Sequence, residues 1–304
     1  MKILCATDLS PKSASAMDRA GMLADHLVAE LSFLHVVPLT ESNQLLGQDL
    51  QRARRKLKSR LRRPAWRYRP PSVFVRSGNP ARILIETMKE LEPDLIVLGR
   101  HRHRPTLDAL AGTLAARVLS ERKCPVLIVD RMSWDAYRNI VLALDCTKAS
   151  VGAVRAAEAI FLRDVVRATI VHAYQPPYEA MLPSAGIAVD VVSSSSRLWS
   201  DEARAALRAL LIDVSGDFSR YELIVDNATP TTAIQRAVCR LNPDLLVLGT
   251  RGRHWLGRTL LGSVANRVIA SARCDVLVVP DQTVGVSSRH QRVDHRSLDV
   301  ISGF

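Results

Sequence analysis

The sequence has few cysteines and no long run of apolar residues. Its five cysteines include no C-x-x-C pair, which argues against a disulfide framework and against a structural zinc site. No apolar run approaches the roughly 18 residues that a membrane-spanning helix needs. Asp8 interrupts the amino-terminal stretch before the apolar core of a signal peptide could form. Together these absences predict a protein of the reducing cytoplasm.

Common catalytic and metal-binding motifs are also missing. The chain has no G-x4-G-K-[ST] string, no G-x-S-x-G and no H-E-x-x-H, so an ordinary P-loop ATPase is not expected. His101 and His103 have no carboxylate or cysteine beside them, so we expect no metal site there. No catalytic residue is predicted, and any hydrolysis is expected to be slow and incidental.

The most informative positive feature is an internal repeat. At least ten residues of the segment Asn79–Asp130 recur at a constant offset of 150 in the segment Thr229–Pro280. Near the start of each copy the offset is 137, as between Asp8 and Asp145, so 13 residues are inserted within His172–Pro230. For 304 residues, this repeat predicts two domains of one fold. We place them at residues 1–132 and 137–281, followed by a flexible tail at 282–304.

Each copy alternates short apolar runs with helical patterns. The runs are rich in Val, Ile and Leu without polar alternation, as in strands buried on both faces of a parallel sheet. The alternation predicts an α/β fold: two tandem doubly wound, open, parallel five-stranded sheets with helices on both faces. The predicted strands are Ile3–Thr7, Leu31–Val37, Ser72–Arg76, Leu95–Gly99, Val126–Val129, Ile140–Leu144, Ala168–Ala173, Tyr221–Val225, Leu245–Gly249 and Val276–Val279.

A glycine-rich segment follows the fourth strand of the second copy. Gly249, Gly252, Gly262 and Ser263 fit the spacing G-x2-G-x9-G-[ST] between a strand and a helix. Glycines let the backbone approach a phosphate closely, and the N–H groups that begin a helix face an anion. Ligands of open α/β sheets bind at the carboxyl ends of strands, so Asp145 is predicted to lie at the same site.

The equivalent segment of the first copy departs from this spacing. Gly99, Gly112 and Thr113 match, but Arg102 replaces the middle glycine, where a side chain would crowd a phosphate. Asp8 is retained. We therefore expect at most a second, weaker site in this copy. Two alternatives stay open: arginines 100, 102 and 104 bind an anion through their side chains, or the copy is a structural partner.

The whole repeat, residues 1–281, resembles two tandem universal stress protein (Usp) domains, which have an adenine nucleotide alpha hydrolase-like fold. The resemblance implies that ATP, alone or with Mg²⁺, binds mainly to the second copy. The glycine-rich loop would hold phosphates and ribose, and two strand ends would flank the adenosine. The implied ATP-binding residues are Ala143, Asp145, Ala173, Gly249, Thr250, Arg251, Gly252, Gly262, Ser263 and Val264, and those of the weaker site are Asp8, Gly99, Gly112 and Thr113.

The resemblance also implies how the copies pack. The last strands of such domains pair antiparallel across a two-fold axis, so a tandem chain would form an intramolecular pseudo-dimer. This pairing would cover two sheet edges that otherwise expose unpaired N–H and C=O groups. Further homo-oligomerisation through other surfaces is left open.

The net charge of +12 comes mostly from one segment. Ten basic residues and no acid lie between Arg52 and Arg69. Apolar residues recur through it at helical spacing and predict an amphipathic helix with the basic residues on its wet face: Leu46, Leu50, Ala53, Leu57 and Leu61. Either this face is simply solvated, or it binds an anionic partner: nucleic acid, membrane headgroups or an acidic protein.

Three functions are compatible with these residues. The first is a non-catalytic ATP-binding protein of stress response or signalling. The second is a nucleic-acid-binding protein that uses the basic helix, although only Trp66 and Tyr68 could stack against bases in that segment. The third is a slow ATPase or nucleotidyl-transfer enzyme.

Overall fold

The computed structural model of the chain describes residues 1–39, 46–61, 70–100, 113–121, 124–130, 135–161, 168–175, 189–250 and 263–280. The first half contains β1 (Lys2–Ala6), α1 (Pro11–Leu27), β2 (Glu30–Val37), α2 (Leu46–Arg60), β3 (Ser72–Ser77), α3 (Pro80–Leu91), β4 (Leu95–Gly99), α4 (Leu114–Ser120) and β5 (Val126–Val129). The second half contains β6 (Ile140–Ala143), α5 (Lys148–Ile160), β7 (Ala168–Tyr174), α6 (Val189–Ser215), β8 (Tyr221–Asn227), α7 (Pro230–Leu241), β9 (Leu245–Gly249), α8 (Ser263–Ser271) and β10 (Asp275–Val279). In this described part of the chain, no helix is both long and apolar enough to cross a membrane.

The ten strands form one sheet in the order β3-β2-β1-β4-β5-β10-β9-β6-β7-β8. All pairs within each half are parallel. The predicted α/β fold of two tandem doubly wound, five-stranded parallel sheets is therefore confirmed. In each half the chain winds first to one side of its first strand and then to the other, so the fourth strand lies beside the first.

Helices cover both faces of the sheet, and successive strand residues alternate between the two cores. Phe33 and Leu142 pack into the core beneath α1, α2, α5 and α6. Their neighbours Leu34 and Val141 pack into the opposite core, beneath α3, α4, α7 and α8. Both faces of the central strands are thus apolar, which explains the unbroken runs of Val, Ile and Leu.

The structure also shows how the first helix begins and where the insertion of the second copy lies. Ser10 caps α1 by accepting a hydrogen bond from the Ser13 N–H at 3.2 Å, and Pro11 is the first helical residue. The helix after the second strand has 15 residues in the first half, as α2, and 27 in the second, as α6. The longer helix accounts for most of the extra length of the second copy. The tail from residue 282 lies outside the described residues.

The two halves meet through their last strands. Strand β5 pairs antiparallel with β10, with Ile128 opposite Val276 and Val126 opposite Val278. Every residue of both strands is buried. This is the pairing that the family resemblance implied. It sets the carboxyl end of β5 beside the amino end of β10.

A buried polar cluster lies beside this strand pair. Asp275, which is 2% exposed, accepts hydrogen bonds from the Asp130 N–H at 2.8 Å and the Tyr137 hydroxyl at 2.6 Å. Its carboxylate also lies 3.5 Å from the Arg19 Nε. The Arg19 guanidinium stacks 4.2 Å from the centre of the Tyr137 ring and donates to the Asp135 carbonyl at 2.7 Å. One cluster therefore joins α1, the segment between the halves, and β10.

Burial raises the pKa of Tyr137 well above its ordinary value, and the neighbouring Asp275 charge acts in the same direction. The phenol therefore stays protonated at neutral pH and can donate its hydrogen bond. Residues of the cluster line a small cavity of about 150 Å³, together with Asp244 and Arg138.

Arg100 makes a second polar contact between the halves. Its guanidinium donates to the carbonyls of Ala272 and of Cys274, the latter at 3.2 Å, and its Nε lies 3.4 Å from Asp130. In the repeat, the counterparts of Asp130 and Asp275 are Pro280 and Pro125. The two ends of the β5–β10 pair therefore differ: carboxylates stand at one end and prolines at the other.

We expect Asp275→Ala to lower the free energy of unfolding by about 3–5 kcal/mol, because it leaves the Arg19 charge buried without its carboxylate. Urea denaturation of the full chain measures this. Glu86→Ala is the matched control, since it breaks a carboxylate–arginine pair, with Arg82, that is largely exposed. Equal effects of the two substitutions would contradict a structural role for the buried cluster.

We also expect the fragment 133–304 to dimerise or aggregate, because β10 would lose its partner β5 and expose an apolar, unpaired edge. Sedimentation velocity of the fragment, beside the full chain, measures this. A stable, soluble monomeric fragment would contradict the idea that each half covers an edge of the other.

Candidate functional site

The predicted site residues of the second half gather at one edge of the sheet. Strand β6 lies between β9 and β7, with Ala143 opposite both Leu248 and Val171. Two positions after these paired residues, each chain segment reaches a predicted site residue: Asp145, Thr250 and Ala173. The chain reverses its winding direction between β6 and β9, and ligands of doubly wound sheets bind at such a point.

Asp145 is held in a tight turn between β6 and α5. Its Oδ1 accepts hydrogen bonds from the Thr147 hydroxyl at 2.6 Å, the Thr147 N–H at 3.1 Å and the Ser150 hydroxyl at 2.8 Å. The Ser150 hydroxyl in turn accepts from the Asp145 N–H at 2.9 Å. Cys146 supplies the bend, with a left-handed φ of 60° that side chains rarely adopt. The turn therefore fixes the carboxylate at the end of the strand.

Gly249 and Thr250 complete the end of β9. A side chain at Gly249 would place its Cβ 3.1 Å from the Cβ of Ala149, so glycine allows α5 to begin close against the strand end. Thr250 donates its N–H to the Val279 carbonyl at 3.0 Å. Its hydroxyl oxygen is buried and has no hydrogen-bond partner among the described residues. A hydroxyl in such a position is costly to bury without a hydrogen-bond partner.

The helix that follows the glycine-rich segment begins at the predicted place. Ser263 is the first residue of α8 and is exposed, whereas Val264 is half-buried and packs against the core. The free N–H groups of a helix start, together with a serine hydroxyl, can donate to an anion. Arg251, Gly252 and Gly262 lie outside the described residues.

The corresponding edge of the first half has a different arrangement. Asp8 is exposed and accepts a hydrogen bond from the Ser10 N–H at 2.9 Å. The hydroxyl of Ser13, the counterpart of Ser150, instead lies 2.8 Å from that of Thr7, whose own counterpart is the apolar Leu144. Replacing leucine by threonine thus redirects the serine that holds the aspartate in the second half.

Two more residues distinguish the first half. Thr113 uses its hydroxyl to cap α4, by accepting from the Ala116 N–H at 3.2 Å. Arg100, the counterpart of Thr250, follows Gly99 at the end of β4 and reaches into the junction with the second half. The hypothesis that Arg100 binds an anion with its side chain therefore fails, because the guanidinium is engaged there. Arg102, Arg104 and Gly112 lie outside the described residues.

Histidines and cysteines that recur in the two halves take part in hydrogen bonding and packing of the strands. His35 and His172 each donate from Nδ1 to a carbonyl of the neighbouring strand end, Thr7 at 2.8 Å and Leu144 at 2.7 Å. Cys124 and Cys274 are buried before the last strands. Within the described ranges, no group of three His, Cys, Asp or Glu side chains could hold a metal ion. His101 and His103 fall outside those ranges.

Sequence reasoning missed Thr147, Ser150 and the role of Arg100. A signal for the first two was present, because Ser10 and Ser13 stand at the same offset of 137 from them. No local pattern points to Arg100, since the two carbonyls that accept its hydrogen bonds lie more than 170 residues away, in the other half.

The structure thus contains two copies of one doubly wound α/β domain in a single chain. The model of the universal stress protein family matches residues 1–130 and 136–280, so the chain belongs to that family. A universal stress protein of Thermus aquaticus is 30% identical over 143 residues, which is 47% of this chain and 98% of that protein. Universal stress protein E of Escherichia coli is 25% identical over 244 residues, 72% of this chain and 75% of that protein.

Solved structures agree with this fold. A universal stress protein from Archaeoglobus fulgidus superposes with a TM-score of 0.67 at 18% identity, over 92% of this chain and 98% of that one. A putative universal stress protein from Pseudomonas aeruginosa gives a TM-score of 0.56 at 17% identity, over 92% of each chain. At such identities the likeness concerns the fold alone.

Proposed function

We propose that this chain is an ATP-binding universal stress protein of the cytoplasm that acts in stress response or signalling. The nucleotide binds mainly to the second half, at the carboxyl ends of β6 and β9. One observation carries the proposal: Asp145 is fixed by three hydrogen bonds on the strand next to Gly249 and Thr250, where the winding direction reverses. The halves act as an intramolecular pseudo-dimer.

The donor set suits an adenine nucleotide. A fixed carboxylate accepts hydrogen bonds from hydroxyl or amino groups, which ribose and adenine both carry. The buried Thr250 hydroxyl offers one further donor and acceptor. Phosphates are acceptors only, and the start of α8 with Ser263 supplies donors and a favourable helix dipole. The glycine-rich segment, with Arg251, Gly252 and Gly262, would close around the phosphates.

The contrast between the halves supports binding by the second. Asp8 is exposed, Thr113 caps its own helix, and Arg100 is turned into the junction. Each of these residues stands where the second half has Asp145, Ser263 or Thr250. In the first half, the Thr113 hydroxyl and the Arg100 guanidinium are therefore used within the protein.

The proposed role is binding rather than catalysis. The Asp145 carboxylate is held in place by hydrogen bonds from Thr147 and Ser150, as suits a group that receives hydrogen bonds from a ligand. A Mg²⁺ ion would be held chiefly by the phosphates of the nucleotide itself. Slow ATP hydrolysis is the alternative, and steady release of phosphate in proportion to protein would favour it.

We expect Asp145→Ala to weaken ATP binding by about 10- to 100-fold, the effect of losing a hydrogen bond to a charged acceptor. Asp8→Ala, the substitution at the matched position, should change the affinity by no more than about threefold. Isothermal titration of both full-length variants measures the difference. Asp145→Asn is the second variant, because an amide oxygen can still accept from Thr147 and Ser150 and so preserve the turn.

Gly252→Arg reproduces in the second half the residue that the first half has as Arg102. It should abolish the tight site while thermal unfolding without ATP stays unchanged. Unchanged ATP binding in this variant would contradict the phosphate-binding role of the loop. Equal losses from Asp145→Ala and Asp8→Ala would contradict the preference for the second half.

A further inference from the structure

The outward side of α2 carries cations that the proposed nucleotide site does not use. Ala53 and Leu57 are buried against the sheet, at 8% and 0% exposure, so the opposite side of the helix meets solvent. Five basic side chains are exposed there, and we call them the basic face: Arg52, Arg54, Arg55, Lys56 and Lys58. Residues 62–69, which continue the basic segment, lie outside the described ranges.

The protein itself hardly compensates these charges. Among the described residues, only Arg52 of the basic face has an ion pair, with Asp49 at 3.5 Å, and that Arg52 side chain is 79% exposed. Arg55 contacts the neutral Gln51 amide oxygen at 3.4 Å. Arg60, by contrast, turns inward and donates to the Ser10 carbonyl at 3.2 Å, which fixes the end of the helix on α1. A firmly held helix thus presents exposed cations to solvent.

The charge is not a requirement of the fold. Helix α6 is the counterpart of α2 in the second half, and its 27 residues include three basic and four acidic ones. The 15 residues of α2 include six basic residues and one acid. Both helices cover the same face of the sheet. The excess of positive charge is therefore specific to the first half, as expected of a feature with its own partner.

The burial and composition of α2 also limit the classes of partner that the basic face can bind. The apolar side of α2 is buried, so the helix cannot insert into a membrane as an interfacial amphipathic helix does. The helix contains no aromatic residue, so it offers no platform for stacking single-stranded bases. Protein surfaces mix charges of both signs, whereas a nucleic-acid duplex presents a continuous row of acceptors with one sign of charge. Arginine and lysine are the side chains that contact such phosphates.

We propose that the basic face of α2 binds the phosphodiester backbone of double-stranded nucleic acid without regard to its sequence. The basic face, from Arg52 to Lys58, spans about 9 Å of the axis of α2, a length over which a DNA duplex carries about five phosphates on its two strands. Four or five long cationic side chains can therefore contact phosphates of both strands. Binding of this kind releases counterions and weakens steeply as the salt concentration rises.

The test is fluorescence anisotropy of the full chain with labelled 24-base-pair DNA and RNA duplexes of two unrelated sequences, over a series of KCl concentrations. The variant Arg52→Gln/Arg54→Gln/Arg55→Gln/Lys56→Gln should bind more weakly, and its slope of log K against log [KCl] should be shallower by about 3–4, since each phosphate contact contributes about 0.9. The control variant Lys89→Gln/Arg117→Gln/Arg240→Gln/Arg273→Gln removes the same charge from exposed positions elsewhere and should keep the slope.

Three results would overturn the proposal. One is the absence of duplex binding at low salt. Another is an equal loss of binding in the control variant, which would mean that net charge alone is responsible. The third is tighter binding to vesicles that contain phosphatidylserine than to either duplex, which would mean that the partner is a membrane. ATP affinity measured on the same variants separates this surface from the nucleotide site, and it should stay within about threefold of the parent, since exposed distant charges are screened.

Discussion

The antiparallel pairing of β5 with β10 is the constraint on which the rest of the molecule depends. It turns two five-stranded sheets into one sheet of ten and buries both strands completely. Because the strands run in opposite directions, the carboxyl edge of the first half meets the amino edge of the second. Asp130 and Arg100 come from the former edge, and Asp275 and Cys274 come from the latter. Polar residues at this one contact then hold the halves in register.

This contact also explains how two copies of one fold come to differ at corresponding positions. Arg100 and Thr250 occupy the same position in the repeat. The Arg100 guanidinium donates hydrogen bonds across the junction, whereas the Thr250 hydroxyl is buried without a hydrogen-bond partner among the described residues. The first half thus supplies an interface and a basic helix, and the second retains a strand-end site with a fixed aspartate. In a tandem chain, one copy can lose a site without losing the fold, because packing of the strands does not require it.

The sequence predicted the fold well because its main signals are local or repeated. Strand Leu95–Gly99 and strand Leu245–Gly249 begin and end as predicted, since buried parallel strands give unbroken apolar runs. The shared offsets identified Asp145 and Gly249 as strand-end residues. The hydrogen bonds that orient Asp145 were not predicted, because they depend on the residue before the aspartate. That residue is Leu144 in the second half and Thr7 in the first. The Arg19–Asp275–Tyr137 cluster joins distant segments and gives no pattern along the chain.

The central claim is that the two halves perform different tasks, with one nucleotide site in the second. Native mass spectrometry of the intact chain, purified without added nucleotide and then incubated with ATP, tests this most directly. The account predicts a single adduct of the mass of one ATP per chain, and no adduct in the Gly252→Arg variant. Two adducts of equal abundance, or a single adduct that survives Gly252→Arg, would contradict it.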